Sequence, residues 1–177
     1  MAAGDHIAVA RRKSSVTYYH HGIDVGDRTV IHFTGTSKRD ATVVQTSFAE
    51  FLKGGEKDVI EYVRFIDVLL NYKSQMQSVH GRDHWLLPSL HDDRIDEIRK
   101  RIADPQRAVT EAQKYLGRKG YNLFANNCEH FAVFCKTGLA VSLQAIEYQK
   151  LFDKISESGR SLRADHEFPG RRRFDPF

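Results

Sequence analysis

Only two of the 177 residues are cysteine, Cys128 and Cys135. That scarcity excludes a disulfide framework and favours a reducing, intracellular compartment. On one helix, residues seven apart share a face but stand about 10 Å apart along the axis, too far for a bond between the two. No apolar run approaches the ~20 residues that cross a bilayer. Residues 1–15 are polar and lack the apolar core of a secretory leader. A cytoplasmic chain, at most peripheral to a membrane, is expected. Neither sign of charge dominates, the net charge being +4. Arg11-Arg12-Lys13 and Arg171-Arg172-Arg173 are local basic clusters suited to contact with an anionic membrane surface. No recognition motif accompanies them, so nucleic acid is not an expected partner. The oligomeric state is not legible.

A hydrophobic content of 41% and a charged content of 28% are ordinary for a soluble globular chain, and 177 residues suit one domain with a proper core. There are no internal repeats and no low-complexity segment. "HIAVA" reads as a strand followed by a basic loop, Arg11–Ser15. "TYYHHGIDV" and "RTVIHFTG" read as a hairpin around Gly26-Asp27. In "TSFAEFLKGG", Ser47 and Glu50 have capping-box spacing and Gly54-Gly55 supplies a stop, so a short helix is predicted. "DVIEYVRF" has strand composition. Residues 72–92 read as irregular. Ile95, Ile98 and Ile102 predict a helix over 93–103, and Asp104-Pro105 starts another that ends at Gly117. Helices are also predicted from Cys128 and over 143–155. The sum is an α+β domain over 1–155, a small antiparallel sheet packed beside helices, with an insert at about 72–107 and a basic tail over 156–177.

Within "YNLFANNCEHFAVFC", Asn126 and Asn127 are turn and cap residues, and Cys128 falls at a helix start. There unpaired N–H groups and the helix dipole stabilise an anion, which predicts a lowered thiol pKa and a nucleophile. The bland alternative is a buried small hydrophobe. A thiol nucleophile needs a base, and histidine suits that task near pH 7. Strand alternation separates His20 from His21. The face with Ile23, Val25, Ile31 and Phe33 should be the core side. If opposite residues sum to an even number, as a three-residue loop Gly26-Asp27-Arg28 would give, His20 and His32 share the other face. That face is expected to look onto the helix beginning at Cys128, giving a nucleophile, a base and an orienting group. His21 then reads as a core histidine, His130 as structural, and Glu129 as a complement to the helix dipole. Cys128, His130 and Cys135 cannot converge on zinc from one straight helix, so no metal or cofactor is expected. His80, His84 and His91 read as surface residues of the insert.

With these residues in view, the chain resembles the lecithin:retinol acyltransferase-like family, permuted relatives of the NlpC-type cysteine peptidases and distant cousins of papain. "YYHHGIDVGDRTVIHFTG" is similar to the family's histidine block and "FLKGGEKDVIEYV" to the strand region after it. "YLGRKGYNLFANNCEHFAVFCKTGLAVSLQ" is similar to its asparagine–cysteine block. The resemblance implies Cys128 as nucleophile, His20 as general base and His32 as the residue that orients it. His21 departs from the aromatic side chain usual at that place. It also implies thiol acyltransferase or phospholipase A chemistry: attack on a glycerophospholipid acyl ester, a thioester on Cys128, then transfer to water, an amine or an alcohol. The alternative is a cysteine peptidase or amidase using the same three residues on an amide bond. A non-catalytic interaction module fits less well with all three present.

Overall fold

The computed structural model describes residues 2–13, 15–35, 37, 39–80, 92–123 and 125–160. Five strands, β1 (His6–Lys13), β2 (Val16–Gly26), β3 (Thr29–Thr34), β4 (Thr42–Ser47) and β5 (Lys57–Val59), form one sheet in the order β4-β3-β2-β1-β5. Every neighbouring pair is antiparallel. The described residues also form six helices: α1 (Phe48–Leu52), α2 (Phe65–His80), α3 (Asp92–Ile102), α4 (Pro105–Lys114), α5 (Cys128–Thr137) and α6 (Leu143–Arg160). The architecture is α+β, as the residues predict.

Alternation divides the sheet into two packed faces. Ile23, Ile31, Phe33 and Val43 lie under α5, against Phe131 and Ala132. The other face carries Ile7, Val9 and Val30 and is covered by Phe48 and Phe51 of α1. Nearly every residue of α5 is buried, because α3 and α4 pack on its far side. Phe33 and Phe131 meet edge-to-face at 5.9 Å. Each such fully buried side chain contributes roughly 1.5–3 kcal/mol of transfer free energy.

The β2–β3 connection fixes which histidines share a face. Asp27 and Arg28 both have positive φ, the mark of a two-residue type I′ turn. Gly26 pairs with Thr29 but Asp24 with Val30, so Val25 is an extra, bulged residue. The predicted three-residue loop is thus a two-residue turn plus a bulge. Both routes give the same even register beyond the bulge, with Ile23 opposite Ile31.

Five elements differ from the sequence reading. Arg11, Arg12 and Lys13 belong to β1, whose pairing with β2 continues to Lys13 and Val16, rather than to a loop. β4, "TVVQTS", has no counterpart among the predicted strands; of its two valines only Val43 is fully buried, a weak apolar signal. "DVIEYVRF" contains only the three-residue β5 before α2 begins at Phe65. The stretch from 72, read as irregular, continues α2, because Phe65, Leu69 and Tyr72 recur at helical spacing and pack with Ile98 and Ile146. Residues 156–160 continue α6. The predicted surface histidines His84 and His91 and the arginines at 171–173 lie outside the described residues.

Candidate active site

His20 stands on the face of β2 covered by α1. Its Nε2 lies 2.8 Å from Nδ1 of His32, with the rings nearly perpendicular at 4.9 Å. Phe51 packs against both rings, at 5.3 and 5.0 Å between centroids. His32 Nε2 continues to the Thr46 hydroxyl at 2.9 Å, and that hydroxyl donates to the Ser47 carbonyl at 3.4 Å. His32 Nδ1 also lies 3.2 Å from the Phe33 carbonyl.

Arg11 closes this corner from β1. Its guanidinium donates to the carbonyls of Phe51 and Leu52 at the C-terminal end of α1. Burial pushes the His20 imidazole down to about 3, helped by His32, Arg11, His21 and Lys53. Burial pushes His32 down to about 4; the Phe33 carbonyl opposes this, while Arg11 and Lys53 reinforce it. Both rings are therefore neutral at pH 7, which is the form a base requires.

Cys128 is the first residue of α5. Asn127 caps that helix, its Oδ1 accepting the N–H groups of Glu129 and His130 at 2.9 Å each. His130 Nδ1 accepts the Asn127 N–H in return, the structural role read for it. The cap occupies two of the N–H groups expected to serve an oxyanion, and Phe131 N–H goes to the Asn127 carbonyl. The N–H of Cys128 itself faces its own thiol and favours the thiolate.

The thiol is not low-pKa. Burial pushes it up to about 11; backbone N–H groups of His21, Cys128 and Glu129 favour the thiolate, while the Glu129 carboxylate opposes it. Desolvation outweighs the dipole of the helix start. Nor does α5 lie across from the two imidazoles. It covers the opposite face, and the thiol meets the histidine strand at the backbone of His21, just outside the β2–β3 ladder. Among the described residues no hydrogen bond joins the thiol to either imidazole. The structure thus pairs His20 with His32 and brings Cys128 to the residue following His20.

A family model described as "Lecithin retinol acyltransferase" matches residues 1–141. The chain belongs to this family. It is 29% identical over 172 residues to "Protein LEAD-SENSITIVE 1" of Arabidopsis thaliana, covering 78% of this chain and 58% of that protein. It is 26% identical over 146 residues to the lecithin retinol acyltransferase of Bos taurus, covering 82% and 60%. With the Rattus norvegicus enzyme it is 27% identical over 176 residues, covering 91% and 65%. The chain therefore spans about three fifths of the length of these relatives. No helix among the described residues is long and apolar enough to cross a membrane.

In this family member a second polar cluster lies on the α5 face, where His21 is buried as read. Its Nδ1 is 2.8 Å from His6 Nε2, and His6 Nδ1 is 2.7 Å from the Tyr62 hydroxyl. His21 Nε2 is 2.8 Å from Gln144 Nε2. An amide nitrogen can only donate, so His21 accepts there and carries its proton on Nδ1. His6 then accepts on Nε2 and donates to Tyr62. Burial holds both imidazoles below their ordinary range. Sequence reading missed Gln144 and the role of Glu129, which accepts from Ser142 Oγ, Leu143 N and Gln144 N at the start of α6. The signal available was a carboxylate 13 residues before a Ser-x-Gln helix start, which no local pattern connects.

Proposed function

We propose that the protein is a thiol acyltransferase or phospholipase A-type acyl hydrolase acting on glycerophospholipid esters. The observation that carries this reading is the His20–His32 hydrogen bond on the strand whose next peptide N–H, that of His21, meets the Cys128 thiol. One tautomer set serves the chemistry. Thr46 donates to the Ser47 carbonyl, so its oxygen accepts from His32 Nε2–H; His32 Nδ1 then accepts from His20 Nε2–H. That leaves a lone pair on His20 Nδ1 to take the thiol proton.

Thiol and imidazole both rest neutral, so proton transfer accompanies attack rather than preceding it. The Cys128 sulfur bonds to the ester carbonyl carbon while His20 takes its proton, and the Cys128 N–H stabilises the oxyanion. Collapse expels the alkoxide, which takes the proton back from His20 and leaves as the lysophospholipid alcohol. The thioester is then opened by water or another acceptor whose proton passes to His20, restoring the thiol. The permuted NlpC-like arrangement and a peripheral membrane contact belong to the same reading.

The test is incubation of the purified protein with mixed phospholipid vesicles, reading lysolipid release and the mass of the Cys128 peptide. A fatty-acyl adduct on Cys128, absent from Cys128→Ser, is the expected result. Lysolipid release by Cys128→Ser at the wild-type rate would remove the thioester mechanism.

A further inference from the structure

Between Val16 and Gly22, β2 has a strand neighbour on one side only, because its pairing with β3 begins at Ile23. The other edge is met by side chains instead. The N–H of His21 faces the Cys128 thiol, where it favours the thiolate. One rung away, the amide of Gln144 pairs with Tyr19 as a neighbouring strand would: Tyr19 N–H donates to Oε1 at 2.8 Å, and Nε2 donates to the Tyr19 carbonyl at 3.2 Å. Thiol and amide therefore flank His20. Gln144 Nε2 also donates to His21 Nε2 at 2.8 Å, so both sequence neighbours of His20 are held by one side chain.

The start of α6 that carries Gln144 is itself tied to both neighbours of Cys128. Asn127 Nδ2 donates to Ser142 Oγ at 3.1 Å. The Glu129 carboxylate accepts Ser142 Oγ–H at 2.5 Å and Gln144 N–H at 3.0 Å, with the Gln144 amide nitrogen a further 3.3 Å from it. A carboxylate at a helix N-terminus is favoured by the unpaired N–H groups there, which makes this joint stiff.

We propose that Gln144 is a positioning residue: its amide fixes β2 on either side of His20, while its main chain is fixed by Glu129 beside Cys128. The thiol-to-imidazole geometry is set through it. This rests on Cys128 and His20 being nucleophile and base. Proton transfer between them depends on sub-ångström placement, and a displacement of about 1 Å costs up to about a hundredfold in rate.

The test compares Gln144→Met, of similar volume, and Gln144→Glu with wild type and His20→Ala. Two readouts are used: iodoacetamide alkylation of Cys128 from pH 5 to 9, and kcat and KM for lysolipid release from phosphatidylcholine vesicles. Both Gln144 variants are expected to lose about tenfold to a hundredfold in kcat with little change in KM, and to alkylate slowly, as His20→Ala does. Gln144→Glu should recover part of its relative rate at low pH, where a protonated carboxyl again offers one donor and one acceptor. If Gln144→Met does not fold, Gln144→Glu alone decides. Tyr72→Phe removes a 2.6 Å bond from Tyr72 to Glu147 of α6 without touching β2, and should leave alkylation unchanged. Wild-type alkylation by folded Gln144 variants, or an equal loss in Tyr72→Phe, overturns the proposal. Alkylation that depends on His20 and Gln144 in a protein without lysolipid release would uphold the positioning and refute the acyl-ester reading. Alkylation indifferent to His20→Ala would overturn both the base assignment and the proposal.

Discussion

His20 and His32 hydrogen-bond at 2.8 Å because Gly22, not His20, stands against His32 on that face of the sheet. A Cβ on Gly22 would lie 2.6 Å from Val30 Cγ1 and 3.1 Å from His32 Cβ. The first contact is impossible without movement and the second is tight, so a side chain there drives β3 away from β2.

Gly22→Ala is therefore expected to destabilise the fold by roughly 1–3 kcal/mol, the usual range for overpacking. It should also slow turnover about tenfold through displacement of His32. Denaturant titration and kcat on vesicles check the two effects separately. A variant as active and stable as wild type would show that the room beside Gly22 is not needed.

Thr46 holds the far end of the pair. Thr46→Val removes the acceptor for His32 Nε2–H and leaves the Phe33 carbonyl, which favours a proton on Nδ1 instead. That tautomer cannot accept from His20 Nε2–H, so His20 loses the arrangement that frees Nδ1. Loss of one neutral hydrogen bond is worth about 1 kcal/mol, so turnover should fall roughly fivefold to tenfold, and Thr46→Ser should restore it. Imidazole nitrogen chemical shifts should report the change of tautomer. Unaltered shifts in Thr46→Val would remove Thr46 from the relay.

Much of this arrangement was legible because it depends on local periodicity. The pairing of His20 with His32 followed from strand alternation plus one parity choice, and the N-cap before Cys128 followed from Asn127. The thiol's resting state was not legible. The helix start argued for a low pKa, but the burial that reverses it comes from side chains of β2, β3 and α5 far apart in sequence. The side of the sheet taken by α5 was missed for a related reason: the apolar face was identified, but not that the helix beginning at Cys128 would be what covers it. Gln144 lies 125 residues from Tyr19, and no local pattern encodes such a contact.

Arg11 shows how a surface reading changes once the residue sits in a strand. In a basic loop it would serve vesicle binding alone. Its two bonds to the end of α1 tie it instead to the helix that carries Phe51 onto both imidazoles. Arg11→Gln is therefore expected to lower cleavage of a soluble thioester severalfold, and to cost about 1–3 kcal/mol of stability. The effect should persist at high salt, which screens long-range surface attraction much more than direct, part-buried hydrogen bonds. A defect confined to anionic vesicles at low salt would return Arg11 to a membrane-contact role.

Four buried histidines and the half-buried His20 give the fold a defined acid limit. Burial lowers His6, His20, His21, His32 and His130, taking His20 down to about 3 and His32 and His130 down to about 4. In the unfolded chain each titrates near 6.5. Above that pH both states are neutral and no stability depends on protons. As pH falls below it, the unfolded chain binds protons that the folded chain refuses, so stability drops with decreasing pH. The slope approaches about 1.4 kcal/mol per pH unit for each histidine. Between pH 7 and 5.5 His20, His32 and His130 should therefore each contribute about 1 kcal/mol of loss, on the order of 3 kcal/mol together, and His6 and His21 act in the same direction. Denaturant titrations at the two pH values measure it directly, and a difference under about 1 kcal/mol would mean that these imidazoles are not held neutral. The same shifts separate catalysis from folding. Because His20 stays a neutral base well below pH 6.5, the acid limb of kcat/KM on a soluble thioester should coincide with the loss of circular dichroism. Activity that falls near pH 6.5 while the dichroism is intact would place His20 at its ordinary pKa and overturn the neutral pair.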